Sequence, residues 1–241
     1  MVAIKTENLT KKYKDTVAVN NLNLLVYKGE LFSLLGVNGA GKTTTIKMLS
    51  CLTKVTSGNA FLNGNSIISN EGEVKKIIAT LPQETAVAFN LTVKENLELI
   101  CGIYRFNKEK KETKIKELTE LLDLSSVINK KAGKLSGGWK RRLSIALSLI
   151  SEPEILFLDE PTLGLDVLSR SDLWDIIRSL KGKTTIVLTT HYMEEAEALS
   201  DRIAIMKNGE ILMLGTAEDI KKTAKTDNFE QAFINIVRGA K

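Results

Sequence analysis

Eight consecutive residues near the start of the chain have the composition and spacing of a phosphate-binding loop. They follow the pattern G-x-x-x-x-G-K-[ST] and consist of Gly36, Val37, Asn38, Gly39, Ala40, Gly41, Lys42 and Thr43. The glycines let backbone N–H groups turn inward around phosphate oxygens, and the helix that follows points its positive end at the same anion. We expect Lys42 to bind the β- and γ-phosphates and Thr43 to ligate Mg²⁺, with Thr44 also at the phosphates.

Two adjacent carboxylates follow an apolar segment in the second half of the chain. Residues 155–158 are apolar, and Asp159 and Glu160 come directly after them. A buried strand delivers such side chains to the carboxyl edge of a sheet, where α/β folds bind their ligands. By itself, an acidic pair at this place is more commonly the N-cap of the next helix. Together with the phosphate-binding loop, it predicts that Asp159 serves the Mg²⁺ site and that Glu160 polarises the attacking water.

His191 is the only histidine of the chain, and it follows Thr189 and Thr190 at the end of another apolar segment. A lone histidine is more often structural than functional. The predicted strand nevertheless places His191 at the same sheet edge as Lys42 and Asp159. We therefore expect His191 to act as a donor to the γ-phosphate.

Ser136, Gly137 and Gly138 indicate a second anion-binding position. They stand at the head of a predicted helix whose apolar face contains Leu143, Ala146, Leu147 and Ile150. The N-terminal end of a helix attracts phosphate. Because one nucleotide does not easily need two such helix ends from one chain, we infer that a second copy of the chain supplies this helix across an interface.

The order of strand and helix patterns predicts how these groups are positioned. Residues 2–7 and 17–26 alternate apolar and polar side chains, which indicates strands. Residues 31–35 predict a buried strand before the loop, and residues 43–52 predict the helix after it.

Residues 155–158 and 184–190 predict two further buried strands joined by a helix in a β-α-β crossover. Residues 203–206 and 210–214 flank Asn208 and Gly209, a strong hairpin signal.

These elements predict an α/β fold with a P-loop NTPase (RecA-like) core, an antiparallel β subdomain and an inserted α-helical subdomain. We assign residues 1–83 and 150–220 to the core with its N-terminal antiparallel strands, and residues 84–149 to the helical insertion. Residues 221–241 form a predicted helical tail, with Phe229, Phe233, Ile234 and Val237 at helical spacing.

Composition excludes several function classes. The two cysteines, Cys51 and Cys101, are unpaired in sequence and argue against a disulfide framework or a zinc site. The start lacks a signal-peptide pattern, and no apolar run approaches the roughly 18 residues of a membrane span. The net charge of +5 comes from scattered basic residues, so we expect a solvated lysine-rich surface and no nucleic-acid partner.

The motifs in this order resemble those of ABC transporter nucleotide-binding subunits, over nearly the whole chain. The resemblance rests on the G-x-x-x-x-G-K-T loop, the segment LSGG at 135–138 and the segment ILFLDEPT at 155–162. It implies that Gln83 contacts Mg²⁺ and the water while sensing the membrane partner. It also implies that Asp166 lies at a dimer interface and that Tyr13 stacks on adenine, although a Tyr13 that is simply exposed on the surface is the alternative.

The resemblance further implies an ATPase at the cytoplasmic face of the cell membrane. Two ATPase subunits sandwich two ATP molecules head to tail, and a separate integral-membrane transporter subunit is moved by closure and reopening of the pair. The second ATPase subunit is expected to be a copy of this chain, with a related chain as the alternative. The residues around 189–197, 135–150 and 206–215 are most similar to ABC-2-type exporter ATPases.

Trp139 departs from the family pattern, since many members have glutamine after LSGG. The serine and both glycines are retained, so we expect ATP to be sandwiched normally. The indole beside the phosphate-facing helix puts the rate of hydrolysis in question.

Two alternative functions fit part of these observations. A soluble ABC protein acting on DNA or ribosomes shares the ATPase motifs, but such proteins carry long coiled-coil insertions or tandem ATPase units. A small kinase or GTPase shares the phosphate-binding loop but leaves Gln83 and residues 136–138 without a role. The sequence therefore favours the transporter ATPase.

Overall fold

The computed structural model describes residues 1–84 and 86–239. Its strands are β1 (Val2–Tyr13), β2 (Thr16–Tyr27), β3 (Leu31–Gly36), β4 (Ser57–Leu62), β5 (Asn65–Ser66), β6 (Ile78–Leu81), β7 (Ile155–Asp159), β8 (Thr185–Thr190), β9 (Arg202–Lys207) and β10 (Glu210–Gly215). Its α-helices are α1 (Lys42–Leu49), α2 (Glu71–Ile77), α3 (Val93–Ile103), α4 (Lys108–Leu121), α5 (Gly137–Leu149), α6 (Val167–Leu180), α7 (Met193–Leu199), α8 (Ala217–Thr223) and α9 (Phe229–Gly239). Thr85 of the predicted helical insertion, and Ala240 and Lys241 of the predicted tail, lie outside the described residues.

The larger sheet has the strand order β10-β9-β3-β8-β7-β6. Neighbouring strands from β9 to β6 are parallel, and β10 pairs antiparallel with β9. Every residue of β3, β7 and β8 is buried, as expected for parallel strands covered on both faces. These strands confirm the predictions for residues 31–35, 155–158 and 184–190. Leu35 pairs with Thr190 and Asp159 with Thr189, so the three strands end at one edge.

The smaller sheet is antiparallel, with the strand order β2-β1-β4-β5. Its inner side chains share one apolar core with β3, through residues such as Ile4, Val26 and Phe32. The predicted strands at 2–7 and 17–26 are confirmed, and both are longer than predicted. The sequence did not predict β4 and β6, because only two of the six residues of β4 and one of the four residues of β6 are buried.

The β9–β10 hairpin confirms the Asn-Gly prediction and supports the phosphate-binding loop. Asn208 and Gly209 have φ angles of 50° and 82°, the positive values that a tight hairpin turn requires. The Gly209 N–H donates to the Ala40 carbonyl oxygen at 3.0 Å. This hydrogen bond joins the hairpin directly to the loop.

Helix α1 is shorter than the predicted helix over 43–52. It ends at Leu49, and Cys51 takes a left-handed conformation with a φ angle of 57°. The Leu52 N–H donates to the Lys47 carbonyl oxygen at 2.8 Å, which closes the helix end. The apolar side chains beyond Leu49 therefore belong to a turn that the helical pattern did not reveal.

Three α-helices, α3 to α5, follow the strand β6, as expected for residues 84–149. Helix α3 begins with a capping box between Thr92 and Glu95. Leu118 of α4 and Leu143 of α5 are buried in the same apolar core as Leu156 of β7. The helical segment thus packs on the sheet that carries the candidate site.

The chain ends, within the described residues, on a helix that packs on the sheet. Phe229 and Phe233 of α9 are buried against Ile203 and Ile205 of β9. Helix α9 covers residues 229–239 of the segment 221–241 for which a helical tail was predicted, and residues 224–228 before it are not helical. None of the helices within residues 1–84 and 86–239 combines the length and hydropathy of a membrane span.

Candidate active site

The phosphate-binding loop joins the end of β3 to the start of α1. Gly41 precedes α1 with a φ angle of 102°, and a Cβ atom there would lie 2.5 Å from the Ala18 carbonyl oxygen. Glycine is therefore required both for backbone conformation and for space. The Lys42 Nζ donates to the carbonyl oxygens of Gly36 at 2.8 Å and Val37 at 3.2 Å, so its ammonium group lies inside the loop.

The loop forms the floor of a cavity of about 620 Å³, a volume typical of a small-molecule site. The lining residues are Tyr13, Ala18, Asn38, Gly39, Ala40, Gly41, Lys42, Thr43, Thr44, Gln83, Glu160, Leu163 and His191. Residues predicted from five separate segments therefore meet in one place. They come together because β1 of the smaller sheet and β3, β6, β7 and β8 of the larger sheet all end next to this cavity.

Asp159 lies directly behind Thr43, at the end of β7. The Thr43 Oγ1 donates to the Asp159 Oδ1 at 3.0 Å, and the Thr189 Oγ1 donates to the same oxygen at 2.5 Å. Asp159 is only 5% exposed. A carboxylate and a hydroxyl oxygen in contact are hard donors of the kind that Mg²⁺ prefers, so these residues fit the predicted cation.

Glu160 faces the cavity between a lysine and the histidine. Its Oε1 lies 3.6 Å from the Lys42 Nζ and 3.2 Å from the His191 Nδ1. Burial lowers the pKa of Lys42, and the negative charge of Glu160 partly offsets that shift. Glu160 has a φ angle of 47°, and its backbone N–H donates to the Thr189 carbonyl oxygen at 3.1 Å. The neighbouring strand β8 thus fixes the backbone that aims this carboxylate.

His191 follows the last residue of β8, and its Nδ1 lies beside the Glu160 carboxylate without the alignment of a hydrogen bond. Among the described residues, its Nδ1 has no hydrogen-bond partner. The imidazole ring also contacts the Tyr192 ring, with centroids 4.2 Å apart. Its Nδ1 is therefore buried against the Glu160 carboxylate without a hydrogen bond.

Tyr13 and Gln83 both line the cavity. Tyr13 ends β1, is 45% exposed, and has the Lys11 Nζ 4.8 Å from its ring centroid. Gln83 follows β6, and its side chain is exposed. The structure brings both predicted residues to the cavity.

Ser136, Gly137 and Gly138 do not line this cavity. They begin α5 beside the Asp166 loop, where a Cβ atom on Gly138 would lie 2.9 Å from the Ser169 Oγ. Asp166 caps α6 and accepts from the Ser169 N–H at 3.0 Å and Oγ at 2.7 Å, and these hydrogen bonds lower its pKa. Within one chain, the predicted second anion-binding position thus lies beside the residues around Asp166 and is separate from the cavity that contains Lys42.

The sequence profile of the ABC transporter family matches residues 19–163. This chain belongs to the ABC transporter family. The match includes the phosphate-binding loop, Gln83, residues 136–138 and the pair Asp159 and Glu160.

Two curated relatives and one solved structure illustrate the similarity of this ABC family member. The probable multidrug ABC transporter ATP-binding protein YbhF of Escherichia coli strain K12 is 39% identical over 240 residues, covering 97% of this chain and 41% of YbhF. The daunorubicin resistance ATP-binding protein DrrA3 of Streptomyces coeruleorubidus is 39% identical over 229 residues, covering 95% of this chain and 72% of DrrA3. The chain therefore spans less than half of YbhF.

The solved structure is the dimeric post-hydrolysis state of the ATP-binding cassette MJ0796, bound to ADP and Pi. It is 29% identical in sequence, with a TM-score of 0.79. The match covers 88% of this chain and 98% of the MJ0796 chain. The fold of this ABC chain is thus that of the family's P-loop NTPase domains.

Trp139, where this ABC sequence departs from the family pattern, does not line the cavity. Its half-buried indole packs on the apolar core, and the Arg142 guanidinium carbon lies 4.8 Å from the ring centroid. The indole therefore contacts the apolar core and Arg142 of the same helix, and it does not contact the cavity.

Arg141 and Glu195 of this ABC chain are buried charged residues that were not predicted from the sequence. Arg141 of α5 is 5% exposed and donates only to backbone carbonyl oxygens; burial lowers its pKa to about 10. The signal was its spacing, because Arg141 precedes the buried Ile145 and Leu149 by four and eight residues. Glu195 of α7 is fully buried, which raises its pKa, and accepts from the Trp174 Nε1 at 3.0 Å.

Proposed function

We propose that the chain binds and hydrolyses ATP, and that it thereby drives a separate integral-membrane transporter subunit, in the export direction. The observation that carries this proposal is the meeting of Lys42, Glu160 and His191 in the cavity above the glycine loop. A lysine for phosphate charge, a carboxylate for the attacking water and a histidine donor are the parts that phosphoryl transfer to water requires. The similarity to YbhF and DrrA3 supports export.

Lys42 and Glu160 exchange partners in this mechanism. When a triphosphate enters, the ammonium of Lys42 turns from the carbonyl oxygens of Gly36 and Val37 to the β- and γ-phosphates. Glu160, released from the ion pair, accepts a hydrogen bond from the attacking water, and His191 donates to the γ-phosphate. The left-handed backbone of Glu160 keeps its carboxylate on the cavity side. Tyr13 stacks on the adenine at the cavity mouth.

Thr43, Asp159 and Gln83 are the residues that we assign to Mg²⁺. The contact of 3.0 Å between Thr43 and Asp159 supports the assignment of the first two. The cation, when bound, neutralises charge on the phosphates. Asp159 keeps its hydrogen bond from Thr189, so β8 holds the carboxylate in place.

A second ATPase subunit completes the site in this proposal. Ser136, Gly137 and Gly138 of one subunit face the γ-phosphate on Lys42 of the other, with Asp166 at the interface. The separation of these residues from Lys42 within one chain supports this arrangement, as does the dimeric state of MJ0796. A homodimer suffices, since one chain carries every motif; a heterodimer with a related chain is the alternative.

The membrane subunit docks, we propose, in a groove of about 480 Å³ beside the Gln83 segment. The groove lies between β6, α3 and α5, and it exposes apolar side chains, among them Leu52 and Ile103, which are both 66% exposed. Closure of the dimer moves the helical insertion of residues 84–149 relative to the core of residues 1–83 and 150–220, with residues 221–241 as a tail. Docking at this groove places the chain at the cytoplasmic face of the membrane.

Affinity purification of the tagged chain from membranes in mild detergent tests the transporter assignment. We expect a polytopic membrane protein to co-purify, to be lost with Ile103→Asp, and to be retained with Ile68→Asp. Ile68 is a matched control, because it is 58% exposed but lies outside the groove. Recovery only from the soluble fraction, with ribosomes or DNA-bound proteins, would instead support a soluble ABC ATPase.

A further inference from the structure

Arg141 joins α5 to two loops of the candidate active site. Its Nε donates to the Pro161 carbonyl oxygen at 2.6 Å. Its Nη1 donates to the carbonyl oxygens of Pro82 at 2.9 Å and Gln83 at 3.1 Å. Its Nη2 donates to the carbonyl oxygens of Asp159 at 3.1 Å and Glu160 at 2.7 Å.

The charge of Arg141 is buried at a cost that these hydrogen bonds must offset. A guanidinium group has five N–H donors in a planar fork, and all of them point at the ends of β6 and β7. These strands are parallel neighbours, and the carbonyl groups at their carboxyl ends converge. A neutral side chain of the same length fills the space but leaves several carbonyl oxygens without a donor.

The position of Arg141 gives this cluster a consequence for the reaction. Arg141 lies one turn into α5, which begins at Gly137 directly after Ser136. One side chain therefore ties the helix that carries the second anion-binding position to both the Gln83 backbone and the Glu160 backbone. Neither loop can shift relative to α5 without breaking hydrogen bonds to a charged donor.

We propose that Arg141 is a positioning residue that couples Gln83, Glu160 and the N-terminal end of α5. It fixes the position of the Glu160 carboxylate relative to the N-terminal end of α5. It also transmits a displacement of the Gln83 segment to Glu160. Because coupling is reciprocal, nucleotide-driven movement at Glu160 also reaches the groove for the membrane partner. This inference rests on the proposed function, in which the chain hydrolyses MgATP.

Steady-state MgATP hydrolysis and equilibrium ATP binding by the full chain test the inference. Arg141→Met should lower kcat by about 10- to 100-fold, the effect expected when a reacting group is misplaced by about 1 Å. The Kd for ATP should stay within about threefold, because Lys42 and its loop do not contact Arg141. Arg141→Lys should have an intermediate kcat, since an ammonium group has three donors for five acceptors.

Arg142→Met is the matched control. Arg142 is the next residue of α5, and it donates to the carboxylates of Asp123 at 3.2 Å and Asp172 at 2.7 Å. Both carboxylates are exposed, so we expect kcat and Kd within about twofold of the unmodified chain. An equal loss of kcat in the Arg142 and Arg141 variants would overturn the proposal.

A double-mutant cycle with Gln83→Ala distinguishes positioning of Glu160 through the Gln83 segment from a general loss of rigidity in the Arg141 variant. If Arg141 acts through the Gln83 segment, the losses in kcat of Arg141→Met and Gln83→Ala should be strongly non-additive. Additive losses, an unchanged kcat, or a Kd that rises as much as kcat falls would each contradict the inference. If Arg141→Met does not fold, the same criteria apply to Arg141→Lys.

The two levels of the proposal fail separately. Absence of MgATP hydrolysis by the unmodified chain contradicts the proposed ATPase function. Normal hydrolysis by both Arg141 variants, beside an active unmodified chain, contradicts only the role of Arg141.

Discussion

Replacing Glu160 by glutamine should separate ATP binding from ATP hydrolysis. In the structure the Glu160 Oε1 lies 3.6 Å from the Lys42 Nζ, and the two side chains are 12% and 5% exposed. The substitution keeps the shape of the side chain while removing its charge. Lys42 then has no ion pair to break when a triphosphate enters, and the phosphates no longer meet a carboxylate.

The distance sets the size of the expected effect on binding. Two unit charges 3.6 Å apart attract by about 5 kcal/mol at an effective dielectric constant of about 20. Desolvation of both groups opposes most of this attraction, so we expect a gain of about 1.4 kcal/mol, or tenfold in ATP affinity. Loss of the group that polarises the water should lower kcat by at least about 100-fold.

Three measurements on Glu160→Gln check these values: phosphate release, calorimetric ATP binding, and light scattering of the chain at saturating MgATP. We expect slow release, tighter binding and a stable dimer. Glu152→Gln is the control, because Glu152 is exposed, contacts Lys114 at 3.0 Å and does not line the cavity, so its replacement should leave all three unchanged. Phosphate release within tenfold of the unmodified chain would refute the role of Glu160, and a chain that stays monomeric would refute the sandwich.

Three further predictions concern stability. In urea denaturation, Gly41→Ala should lower the free energy of unfolding by at least about 1 kcal/mol more than Gly64→Ala. Both glycines have positive φ, but only at Gly41 would the new Cβ atom collide with a carbonyl oxygen. Equal losses in the two variants would contradict this prediction. Leu118→Ala should cost about 2–5 kcal/mol by the same assay, since Leu118 is 1% exposed in the core, and a loss below about 1 kcal/mol would show that α4 packs loosely. Burial raises the pKa of Glu195 above 4.5, so the folded chain should lose stability as the pH rises from 4.5 toward that raised value. Glu195→Gln should abolish this loss and raise the Tm at pH 8. A Tm–pH curve that is the same for the variant and the unmodified chain would contradict this prediction.

Local patterns were sufficient for the elements that bury continuous apolar runs. Residues 31–35, 155–158 and 184–190 are strands in the structure, as their unbroken hydrophobicity indicated. The same patterns did not reveal β6, a four-residue edge strand with one buried side chain. They also extended α1 to Leu52, because the left-handed turn at Cys51 depends on backbone hydrogen bonds and not on side-chain periodicity.

Candidate residues were predictable where the reaction itself demands a residue type. The glycine loop before Lys42, together with acidic residues at the end of a buried strand, indicates a site for phosphates and a cation. The parallel order of the strands then brings Glu160 and His191 to Lys42, as expected from the rule that parallel strands end at one edge.

By itself, the sequence determined the family, the strand–loop–helix unit and the identity of the groups around Lys42, since these depend on residue types at short spacing. Only the tertiary structure revealed that Arg141 donates hydrogen bonds to the backbone of Gln83 and Glu160. Its acceptors are backbone carbonyl oxygens up to 59 residues away in the chain, and every residue type carries a carbonyl group. Hydrogen bonds to backbone carbonyl oxygens require no particular residue type at the acceptor position. They can therefore be identified only from the three-dimensional arrangement of the strands.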